Sequence, residues 1–152
     1  MRTLVFALAM LIVAGSATGC AQTPAPGPAA DRSSGGLAPC PASPNCVCST
    51  DPASPAAIAP LRYDPAGGEP MEALARAVTT LPGSHIVTRD GPYLHATITS
   101  RWLGFIDDLE CLASPEDHAI HVRSASRLGY YDFGANRRRV EALRQAFEHP
   151  AR

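Results

Sequence analysis

Two stretches concentrate the side chains capable of chemistry. The first, Phe105 to Glu110 (FIDDLE), places the carboxylates Asp107, Asp108 and Glu110 almost side by side. The second, His121 to Glu141 (HVRSASRLGYYDFGANRRRVE), holds five arginines. Carboxylates facing guanidinium groups can neutralise one another across a sheet, each such pair contributing about 0.2–1 kcal/mol. They can also line a polar cleft in which Arg123, Arg127 and Arg137 grip an anion, helped by N–H groups at a helix start. Acid–base catalysis needs two groups with separated pKa values in one pocket, and Asp107, Asp108, Glu110 and His95 qualify only by type. No G-x-S-x-G elbow and no phosphate-cradling glycine loop is present. Binding is the leading expectation. The alternative is a small hydrolase-like or metal-handling enzyme using Asp107, Asp108, His121 and Arg123. No catalytic residue, resident metal or cofactor is assigned.

These residues need a scaffold, and the sequence supplies one. Met71, Leu74, Ala75, Val78 and Leu81 recur at helical spacing over Glu69 to Leu81. Pro70 suits the first turn, and Pro82-Gly83 ends the helix. His85 to Asp90 and Tyr93 to Ser100 read as strands joined by Asp90-Gly91-Pro92. Phe105 to Leu112 is a third strand and His118 to Ser126 a fourth, turned about Ser114 to Asp117. A last helix over Ala135 to Glu148 carries Val140, Leu143 and Phe147 on one side. The order predicts an α+β domain: a four-stranded antiparallel meander with two helices packed on one face. A turn centred on Pro115 places Asp107 near Arg123 and Asp108 near Val122, within a residue of slip. Of the 15 prolines, 11 precede Met71, so Pro39 to Pro70 is expected to be an irregular strap that lays Ile58, Leu61 and Tyr63 across the core. Arg137, Arg138 and Arg139 point in three directions around a helix, and Asp132 is placed to cap it or pair with one of them.

The chain's beginning speaks to compartment. Met1-Arg2 and an apolar Leu4 to Val13 form a short signal peptide, residues 1–19, ending in small residues before Cys20. A cysteine there is the expected lipidation site, with ordinary cleavage nearby as the alternative, and Ala21 after it favours the outer membrane, facing the periplasm. Residues 20–38 are Pro- and Gly-rich and read as a tether reaching about 50 Å. Residues 39–150 form the single domain. The expected partners are the membrane, through the lipid, and an envelope protein or small anionic ligand. A formal net charge of −1 excludes nonspecific nucleic-acid binding as the main activity.

Four further cysteines, Cys40, Cys46, Cys48 and Cys111, allow three pairings. In an oxidising compartment disulfides are the default. The pairing expected is Cys40–Cys46 in a small loop and Cys48–Cys111 as a staple from strap to third strand. Cys-x-Cys is poor zinc spacing, and His118 and His121 point to opposite faces of a strand.

Three blocks together resemble a known family: Pro41-x-Ser43-Pro44-Asn45-Cys46-Val47, then Phe105-x-Asp107-Asp108-Leu109-Glu110, then most of His121 to Glu141. They are similar to the domain of unknown function 1499 family of small, often lipidated bacterial envelope proteins with plastid relatives. The resemblance runs from about Leu37 to Phe147 and brings no assigned activity. It implies importance for Ser43, Pro44, Asn45, Cys46, Asp107, Asp108, Arg123, Ser124, Ser126, Arg127, Asp132, Asn136, Arg137 and Arg139. Against the family pattern, Cys48 stands where serine is usual and Cys111 where an aromatic or aliphatic residue is usual. That joint departure favours their mutual bridge.

Overall fold

A computed structural model describes residues 36–150; the expected signal peptide, Cys20 and the expected tether as far as Gly35 lie outside the described residues. Helix α1 spans Pro70–Thr80 with Pro70 in its first turn, and it buries Leu74, Ala77 and Val78. Gly83 then turns the chain at φ 76° and accepts a hydrogen bond from Thr99 N–H at 2.9 Å. A Cβ there would sit 2.3 Å from the Thr99 carbonyl oxygen, so the close approach requires glycine.

The meander follows as β3 (Ser84–Asp90), β4 (Tyr93–Thr99), β5 (Ile106–Ser114) and β6 (Ala119–Ser126), and α2 (Ala135–Glu148) closes the domain. The strap adds two short strands that the proline content hid, β1 (Cys46–Cys48) and β2 (Leu61–Arg62), both antiparallel to β6. The sheet order is β1-β6-β5-β4-β3, with β2 also on β6. The architecture is the expected α+β fold, with more strands than the four anticipated.

Period-2 alternation divides the sheet. Leu94, Ala96, Ile98, Leu109, Cys111, Ile120 and Val122 form one core with Leu74, Val78, Val140 and Leu143 of the helices. Ile58 and Leu61 of the strap are buried in that core, and Tyr63 packs against it.

The register between β5 and β6 differs from the expected one. Ser114 pairs with Ala119 around a loop of Pro115 to His118. His118 adopts a left-handed φ of 48°, and its N–H reaches the Pro115 carbonyl at 3.3 Å. This turn is longer than one centred on Pro115. Asp107 therefore lies opposite Ser126, Asp108 opposite Ala125 and Glu110 opposite Arg123.

Of the two expected disulfides, Cys40–Cys46 is present, with Cα atoms 5.7 Å apart. Cys48 and Cys111 are free and buried. Cys48 lies opposite Arg123 on β1, and Cys111 opposite Val122 on β5. The two strands flank β6 on either side, so about 9–10 Å separates them, beyond the roughly 4.4–6.8 Å a disulfide spans. Their side chains also take opposite faces, because adjacent β6 residues alternate.

Candidate functional site

The register assigns each charged group a partner. On the face turned away from the helices, Arg123 donates to Glu110 at 2.8 Å, their side chains 4% and 1% exposed. Tyr93 Oη donates to the other Glu110 oxygen at 3.0 Å. Two strand positions along, Asp108 accepts from Arg127 Nε and Nη2 at 2.9 and 2.8 Å, and from His95 Nε2 at 2.8 Å. Burial pulls the Asp108 carboxyl upward, but the hydrogen bonds from His95 and Arg127, with the charge of Arg127, win and hold it down at about 2. His121 lies on the same face yet turns to Ser49, 3.3 Å from its Oγ.

On the helix side, Asp107 accepts from Arg139 of α2. Arg139 also reaches Ser124 Oγ at 2.9 Å and Asn136 Oδ1. Asn136 is fully buried and links four segments. It accepts from Ser124 Oγ at 2.7 Å, and it donates to the Asn45 carbonyl, Ser126 Oγ and Asp132 Oδ2. Asp132 caps α2 by accepting from the Gly134 and Asn136 N–H groups. Burial opposes its ionisation, and these donors outweigh that effect and lower its pKa.

The expected grouping of Arg123, Arg127 and Arg137 around one anion does not form. Arg123 and Arg127 are spent on Glu110 and Asp108, on the face away from α2. Arg137 instead donates to the Ala57 carbonyl of the strap, and Arg138 to the Phe133 carbonyl. Asp107 and Asp108 likewise take opposite faces, so Asp107, Asp108, His121 and Arg123 do not share a pocket. Among the described residues, no group of three or more His, Cys, Asp or Glu is arranged to hold a metal ion. Cys111 is an inert thiol, since burial and the neighbouring Glu110 charge both raise its pKa.

An opening does exist. A cleft of about 710 Å³ lies between the strap and the start of α2, lined by Pro41, Ser43, Pro44, Pro55, Tyr131 and Arg137 among others. The Cys40–Cys46 bridge fixes one wall. Asn45 ties that wall to the facing loop by donating from Nδ2 to the Gly129 carbonyl at 2.6 Å.

Two loops at this end of the sheet carry apolar side chains that the helix and strand periods do not place, and Phe105, expected to open the third strand, lies on one of them. Trp102, Leu103 and Phe105 are exposed on the loop between β4 and β5. Leu128, Tyr130, Tyr131 and Phe133 are exposed on the loop between β6 and α2. Their signal was an apolar and aromatic run at positions where turn chemistry favours polar residues.

Fold and site together define a small α+β domain whose charged centre is internally paired and whose opening is a proline-lined cleft. The chain belongs to the family described as Protein of unknown function (DUF1499), whose model matches residues 36–147. No curated protein and no solved structure matches the chain.

Proposed function

We propose that this protein is a lipid-anchored envelope protein, held at the outer membrane through Cys20 and facing the periplasm, whose domain binds or scaffolds a partner without catalysing a reaction. The observation that supports this reading is the mutual saturation of its central ionisable groups. Glu110, Asp108 and Asp107 each accept from an arginine. A general acid or base needs a group that can exchange a proton with a substrate in reach, and carboxylates locked by guanidinium groups serve a frame instead. The cleft beside that frame is where a segment of an envelope protein or a small anionic ligand would sit, with Arg137 at its wall.

The test is a thermal-shift screen of the full chain against anions, sugars and cell-wall fragments, repeated with Arg137→Ala. A ligand that raises the melting temperature of the wild type, and not of an equally stable Arg137→Ala chain, is the expected result. Turnover of any of these compounds would overturn the non-catalytic reading. Anchoring is tested separately, by incorporation of a labelled fatty acid that Cys20→Ser abolishes.

A further inference from the structure

The two aromatic loops belong to one surface. Thr99 and Ile106, the ends of β4 and β5, pair with each other, and Arg127 N–H at the end of β6 donates to the Ile106 carbonyl. The loops leaving these strands therefore emerge side by side. Of the eight exposed large apolar residues among the described residues, all but Val87 lie on these two loops. Such concentration exceeds the scattered apolar exposure normal for a soluble surface.

The loops are built to present these side chains away from the core. In the first, Ser100 N–H donates to the Phe105 carbonyl, Gly104 N–H to the Ser100 carbonyl and Phe105 N–H to Ser100 Oγ. These bonds close the base of the loop and leave Trp102 and Leu103 exposed at its tip. In the second, Tyr131 and Phe133 stack edge to face at 5.0 Å. The one carboxylate of the two loops, Asp132, is turned inward to cap α2. Arg127 is turned in to Asp108, but two other cations face outward: Arg101 lies over the Trp102 ring at 5.4 Å, and Arg138 reaches the Phe133 carbonyl at the surface.

Trp, Tyr and Phe rimmed by arginine, with the local carboxylate withdrawn, is the chemistry of the membrane–water interface. We propose that this aromatic end docks on the surface of a bilayer containing anionic lipid, with the arginines against phosphate head groups. The inference draws on the anchoring reading above. Cys40 to Pro44, which line the cleft beside Tyr131, bring the chain in from the tether at this same end. On that reading, a domain anchored in the same bilayer meets it at high effective concentration, so a modest interfacial affinity is enough to hold it down.

Trp102 is the only tryptophan of the chain and sits at the tip, which makes it the probe. The full chain is reconstituted into vesicles of phosphatidylethanolamine and phosphatidylglycerol with and without lipids brominated near the glycerol. Docking predicts a blue shift of Trp102 emission on vesicles and loss of its intensity with the brominated lipid. Both effects should disappear in Leu128→Ser/Tyr130→Ser, a change at exposed positions, while flotation with the vesicles persists. Trp102 emission unchanged from that in water, on a chain that floats and carries an acyl label, overturns docking and leaves the anchor intact. Quenching by brominated lipid on a chain without acyl label supports docking and removes the anchor. A blue shift without quenching, in a chain that elutes as a larger species, means that a protein surface covers the loops, and the proposal fails.

Discussion

Removing the Arg123 guanidinium gives the sharpest test of how the charged centre is built. Arg123→Met keeps most of the side-chain volume and leaves Glu110, 1% exposed, with Tyr93 Oη as its remaining partner. Breaking a buried pair from one side costs about 3–5 kcal/mol, because the surviving charge stays desolvated. At roughly 4 °C per kcal/mol or more for a domain of this size, the melting temperature should fall by about 12–20 °C. The second variant, Glu110→Leu with Arg123→Met, removes both charges and should recover about half of the loss or more, since an apolar pair of similar volume is often neutral or better. Arg123 Nε, buried without a hydrogen-bond partner, adds to the expectation that the double variant fares well. The exposed Arg89–Glu72 pair is the internal control, and its loss should move the midpoint little. Urea titrations of the four members of the cycle give the coupling directly. A loss below about 1 kcal/mol for Arg123→Met, or a double variant no more stable than the single, would refute a buried, mutually dependent pair.

Two further outcomes are expected. Asp108 is held at about 2 against an ordinary 3.8, so it should contribute about 2 kcal/mol that is complete above pH 4 and lost as pH falls toward 2; urea midpoints between pH 2 and 5 should show that slope, and Asp108→Asn should flatten it. Asn136→Ala strips partners from Ser124, Ser126, Asp132 and the Asn45 carbonyl at once; a loss of about 2–3 kcal/mol by denaturant titration is expected, with faster hydrogen exchange at the Ser126 N–H that Asn45 holds.

Most of the scaffold was legible because it obeys simple periods. α2 matches its sequence-based bounds, and α1 and the four meander strands differ from theirs by a residue or two at the ends. The pairing across β5 and β6 was not legible, because a turn containing Pro115 can close at several lengths. His118 in a left-handed conformation fixes the longer one, and non-glycine residues rarely signal that state in advance. That displacement sends Arg123 to Glu110 and frees Asp107 for Arg139. The bridge from Cys48 to Cys111 failed for a topological reason: β1 and β5 lie on opposite sides of β6, an order that composition does not reveal. Asn45 and Asn136 stood out only through the family resemblance. Their role is to fasten the strap just before β1 to the last helix and to the loop that leads into it.

The placement of β1 also carries a consequence for assembly. Cys46 meets Ala125 and Val47 meets Ser124, so the first strand of the domain completes the edge of nearly the last one made. The hairpins β3–β4–β5–β6 are local and can zip early, whereas seating the strap must await a long chain closure. Until then the outer edge of β6 stands open to any stray strand. The domain's earliest strand is thus expected to be the last one seated, and the open edge is where mispairing would begin.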